Sequence, residues 1–70
     1  KGSQVFYWGI DDNAIVDITH KGNSNFVVYL HTEDDSELLV NEIGNYSGEQ
    51  IMSTGLVVIE ADGSWMLTPQ

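Results

Sequence analysis

Asn25-Phe26-Val27-Val28-Tyr29-Leu30-His31 decides how the rest of this chain is read. It alternates: Phe26, Val28 and Leu30 fall on one side, Val27, Tyr29 and His31 on the other. In an extended chain successive side chains point to opposite faces, so a period of two marks a strand with one face on a core. An amphipathic helix needs an apolar stripe at three- and four-residue spacing set against a polar face, and Phe26 to Leu30 leave no polar face. Val, Tyr and Phe also suit a pleated, half-buried surface.

The same period continues on both sides. Upstream, Lys21-Gly22-Asn23-Ser24 reads as a hairpin turn, and Ala14 to His20 alternates, with Ala14, Val16, Ile18 and His20 facing one way. Gly9 to Asn13 is a turn cluster, and Gln4 to Trp8 is a short aromatic strand in which Tyr7 faces opposite to Phe6 and Trp8. Downstream, Thr32 to Glu37 is an acidic loop. Leu38 to Ile43 reads as a strand, although Leu39, Val40 and Ile43 also fit one side of a helix. Gly44-Asn45 is a turn pair tolerant of positive φ. Tyr46 to Met52, Leu56 to Ala61 and Ser64 to Thr68 complete the strands, and Pro69 closes the last one. Asp62-Gly63 between apolar runs predicts a two-residue type I′ hairpin. Short strands divided by turns every ~8–12 residues predict an all-β fold. The expectation is a small antiparallel β-sandwich, jelly-roll-like, of about six to eight strands.

The chain has 70 residues, which is one domain spanning positions 1–70. A start at Lys1 reads as a segment excised from a longer protein. A domain this small buries only about 60% of its unfolded surface. With no cysteine it has neither disulfide nor thiolate metal site, so it depends on an apolar core. Eleven Asp and Glu stand against two Lys and no Arg, a net charge of −9. Two lysines cannot neutralise a phosphate backbone or an anionic membrane, which argues against nucleic acid and membrane surfaces as partners. No apolar run is long enough for membrane insertion. A neutral ligand, a cation or a basic protein remains, and the charge also keeps a small β-protein soluble by self-repulsion.

Three blocks go beyond pattern: Gly22-Asn23-Ser24-Asn25-Phe26-Val27-Val28-Tyr29, then Leu38-Leu39-Val40-Asn41-Glu42-Ile43-Gly44-Asn45-Tyr46-Ser47-Gly48, then Ala61-Asp62-Gly63-Ser64-Trp65. Together they resemble a small β-sandwich accessory domain of secreted or membrane-anchored bacterial and archaeal proteins. The chain is also distantly similar to the prepeptidase-type C-terminal domains attached to secreted proteases. The segment before His20 departs from that pattern, being compressed and lacking a long Gly-rich opening. The resemblance implies an extracellular or cell-surface setting and an accessory role, and brings no catalytic residues. Physically, Gly22, Gly44, Gly48 and Gly63 suit turns and bulges, Asn25 and Asn41 can tie loop backbone groups, and Trp65 can plug an end of the sandwich.

The site residues follow from chemistry. Flat aromatic faces bind sugar rings with little charge, so Tyr7, Tyr29 and Tyr46 are the ligand-binding residues expected for a glycan or surface polymer. Glu33, Asp34, Asp35 and Glu37, and the turn Asp11-Asp12-Asn13, supply oxygen ligands of the kind calcium takes, without the spacing of an EF-hand. As a solvated loop they need no ion. His20 and His31 are too few and too far apart for zinc. No nucleophile elbow surrounds any serine, and so small a domain hardly forms a carboxylate-lined cleft. The sequence therefore reads as a non-catalytic accessory module that binds a glycan or surface polymer weakly or acts as a spacer. The alternative is an acidic interaction domain that docks a basic protein.

Overall fold

The computed structural model describes residues 3–9 and 13–70. Seven strands follow one another: β1 Gln4–Trp8, β2 Ala14–Lys21, β3 Asn25–His31, β4 Ser36–Ile43, β5 Tyr46–Met52, β6 Gly55–Glu60 and β7 Ser64–Pro69. They form two antiparallel sheets, a four-stranded one in the order β1-β6-β3-β4 and a three-stranded one in the order β5-β2-β7. The fold is the small β-sandwich the alternation predicts. Among the described residues no helix is long and apolar enough to cross a membrane. Of the expected Gly9 to Asn13 turn, residues 10–12 lie outside the described ones.

Each inner face carries the alternate residues read from sequence. Val16 and Ile18 of β2 face Phe26, Val28 and Leu30 of β3, with Val40, Met52, Val57 and Ile59 closing the core. Full burial of each such aliphatic or aromatic side chain is worth about 1.5–3 kcal/mol. Phe6, Trp8, Trp65 and Leu67 pack on the margins, and the rings of Phe6 and Trp65 stack with centroids 6.0 Å apart.

Strand order departs from the local reading. The stretches 21–24 and 62–63 look like hairpin turns, yet β2 and β3 lie in different sheets, as do β6 and β7. The type I′ turn expected at Asp62-Gly63 is not formed. That turn needs positive φ at both central residues, and among the described residues only Gly44 has it, at 89°. Of consecutive strands only β3 and β4 pair, and the rest cross from sheet to sheet. β4 also slips register: Val28 opposes Val40 while Tyr29 opposes Leu38, so Leu39 is the extra residue of a bulge. The bulge explains why Leu38-Leu39-Val40 fits no single period. It leaves Leu38 outside and Val40 in the core.

Candidate functional site

The three sequence blocks meet at one end of the sandwich. There the crossovers β2–β3, β4–β5 and β6–β7 are tied together by polar side chains. Asp62 Oδ2 accepts from the backbone N–H groups of Asn23 (3.0 Å) and Ser24 (3.1 Å). Asn45 Oδ1 accepts from the Gly22 N–H at 3.1 Å, and the Gly44 N–H donates to the Ser24 carbonyl at 2.9 Å. Asn45 and Asp62 thus do the loop-tying that the sequence placed on Asn25 and Asn41.

His20 sits beneath this knot, 1% exposed, its ring stacked on Phe26 with centroids 4.4 Å apart and planes 3° from parallel. Its Nδ1 donates to the Gly44 carbonyl at 2.7 Å, an acceptor that fixes the proton on that nitrogen. Its Nε2 lies 3.3 Å from Asp62 Oδ1, within ion-pair distance but without hydrogen-bond geometry. The Asp62 carboxyl is held below its ordinary value of 3.8. The Asn23 amide is the main cause. The amides of Ser24 and Asp62 itself and the charge of His20 add to it, against an opposing effect of desolvation. The hydrogen bonds of the knot run from His20 Nδ1, Asn45 Oδ1 and Asp62 Oδ2 to backbone groups of neighbouring crossovers, while His20 Nε2 has only its ion-pair contact with Asp62. This arrangement builds the fold.

The outer face of the four-stranded sheet has the opposite character. Register places Val5, Val58, Tyr29 and Leu38 in one row across β1, β6, β3 and β4. Tyr7, Leu56, His31 and Ser36 form the next row. Tyr7 is 68% exposed, and Val5, Leu38 and Leu56 are exposed as well. Tyr29, half-buried, stacks on His31 with centroids 6.0 Å apart and planes 13° from parallel. His31 Nδ1 and Ser36 Oγ share a 2.7 Å hydrogen bond that fixes the ring. Tyr7 and His31 are two strands apart, roughly 10 Å, with Leu56 between them. A depression of about 330 Å³ opens beside Tyr7, His31 and Leu56, bordered by Thr32, Glu33, Thr54 and Gly55.

Tyr7 and Tyr29 therefore share a face, through the β1–β6–β3 register. Tyr46 is not brought to it. It belongs to the other sheet, packs inward on Phe26 with ring centroids 6.0 Å apart, and its hydroxyl accepts from Gln50 Nε2 at 3.4 Å. Sequence reasoning missed His31 and Leu56 as companions of Tyr7, because only the β1–β6–β3 register reveals them.

Glu33, Asp34, Asp35 and Glu37 lie exposed around the β3–β4 loop. Thr32 closes that loop: its N–H donates to the Asp35 carbonyl at 2.8 Å, and its hydroxyl accepts from the Asp35 N–H at 3.1 Å. Among the described residues no group of three or more His, Asp or Glu is placed to hold a metal ion, so the calcium expectation finds no cluster there. Asp11 and Asp12 of the second acidic turn lie outside the described residues. His20 and His31 are in different sheets, one facing the core and one facing outward.

The outer face of the three-stranded sheet is mixed. Ile15, Ile51 and Met66 are exposed among Asp17, Thr19, Lys21, Ser47, Glu49, Ser64 and Thr68. Asp17 and Glu49 stand directly opposite, a destabilising like-charge pair. The Gln70 amide relieves it by donating to both, at 2.8 and 2.5 Å.

No family model, no curated protein and no solved structure matches this chain. A functional reading therefore has to come from the chemistry of the site.

Proposed function

We propose that the domain is a non-catalytic binding module of a larger extracytoplasmic protein, and that the outer face of its four-stranded sheet is a platform for a glycan chain. One observation carries the reading: Tyr7, Tyr29 and His31 lie on a single sheet face floored by Val58 and Leu56. Such a surface offers apolar contact to sugar rings. Its neighbours Ser36 and Asn41 supply hydrogen-bonding groups. The resemblance to accessory domains of secreted proteins supports the extracellular setting. The molecule measures 33 × 21 × 16 Å, which favours open platforms over the enclosed clefts that catalysis uses.

The alternative, docking of a basic protein, draws on the net charge of −9. It gains less support, because the carboxylates are spread over both sheets and the β3–β4 loop instead of forming one face. A titration followed through amide NMR shifts tests the choice, using oligosaccharides of several linkages and a Lys-rich peptide. A glycan platform predicts sugar-induced shifts confined to residues around Val5, Tyr7, Tyr29, His31 and Leu56. Shifts with the peptide alone, or with nothing, overturn it.

A further inference from the structure

The charges that frame this platform carry its specificity further. Among the described residues no Lys or Arg is placed on the outer face of the four-stranded sheet. Of the two lysines in the chain, Lys21 faces outward from the other sheet, opposite Ser64, and Lys1 lies outside the described residues. The apolar strip is bracketed by carboxylates. At one end Glu60 stands opposite Val27 on the outer face. At the other, Glu33 borders the depression that Tyr7, His31 and Leu56 line. Glu60 and Leu56, which lines the same depression as Glu33, are four residues apart on one strand, roughly 13 Å, a length on the order of two to three sugar rings. Both carboxylates are exposed. An aromatic face next to a carboxylate is a setting that attracts an ammonium group, by ring quadrupole and by charge.

We infer that the platform selects glycans carrying free amines, such as a β-linked glucosamine chain, over neutral chains, and rejects uronic-acid or sulfated ones. This rests on the glycan-platform reading and sharpens it. The aromatic strip holds the sugar rings. Glu33 and Glu60 receive ammonium groups at its two ends. Because both carboxylates are exposed, the gain is modest and sensitive to salt.

The test is a titration of the wild-type domain at low salt with three oligosaccharides of equal length: β-1,4-linked glucosamine, its fully N-acetylated form, and galacturonate. The inference predicts glucosamine binding about two- to fivefold tighter than the N-acetylated chain, with galacturonate weakest. It also predicts that the glucosamine advantage vanishes in the double variant Glu33→Gln, Glu60→Gln, and in wild type at high salt. Equal binding of all three chains, or preference for galacturonate, overturns the charge selection and leaves the platform standing. Persistence of the amine preference in the double variant does the same. Binding of none of the three overturns the platform reading itself and this inference with it. Unfolding midpoints of the variants separate loss of binding from loss of fold.

Discussion

The knotted end of the sandwich and the outer face of its larger sheet use opposite chemistry. At the knot, His20 Nδ1, Asn45 Oδ1 and Asp62 Oδ2 bond to the backbone of other parts of the chain, and three sheet-to-sheet crossovers are joined by these side chain to backbone bonds. On the outer face, Val5, Tyr7, Leu38 and Leu56 are left exposed around a fixed Tyr29–His31 stack. The most distinctive residues of the sequence belong to the first region, and the surface best suited to a ligand belongs to the second. A dense motif can thus mark how a domain folds, while the site lies among plain strand residues.

The knotted end is most sensitive at Gly63. A Cβ there overlaps the Lys21 carbonyl oxygen and crowds the Gly22 backbone. Gly63→Ala is expected to destabilise by about 3 kcal/mol, lowering Tm by roughly 10–20 °C. A melt within a degree or two of wild type removes the close approach from the account. Next comes His20→Phe, which keeps the ring on Phe26 but strips the Gly44 carbonyl of its donor. Loss of a buried hydrogen bond puts its effect at about 1–3 kcal/mol, read by denaturant unfolding.

Asp62→Asn makes the stability of the knotted end depend less on pH. The folded carboxyl titrates below its ordinary value of 3.8. Its stabilisation is therefore complete above pH 3.8 and is lost as pH falls through the depressed folded value. The Tm gap between wild type and the variant should be open at neutral pH and close on acidification. A gap that stays constant, or widens in acid, contradicts the role given to Asp62. The smallest stability effect belongs to the other region. Tyr7→Ser should change stability by no more than about 0.5 kcal/mol, yet weaken glycan binding about three- to tenfold. Unchanged binding in a folded variant takes Tyr7 out of the platform.

Strand positions were legible because alternation is a local property, and the burial of Val16, Ile18, Phe26, Val28 and Leu30 follows it directly. That Tyr7 turns away from Phe6 and Trp8, and Tyr29 away from Phe26, Val28 and Leu30, was legible for the same reason, but that the two tyrosines share a face was not. Nor were strand partners. Gly, Asn and Asp at 22–24 and 62–63 announce a chain reversal, but do not say which sheet the next strand enters. That choice depends on contacts far apart in sequence, such as His20 with Gly44 and Asp62 with Asn23. Tyr46 was misleading because alternate positions of β5 are Tyr, Gly, Gln and Met on one side and Ser, Glu and Ile on the other. Neither set is plainly apolar.

Amide hydrogen exchange of the wild-type domain shows whether the knot is part of the folding core. Loop amides ordinarily exchange quickly through local opening. If the knot holds, the amides of Gly22, Asn23, Ser24 and Gly44 exchange as slowly as those of Val28 and Ile59, through global unfolding. If they exchange at the rate of the exposed loop amides at Glu33 and Asp34, the knot opens on its own and the fold does not depend on it.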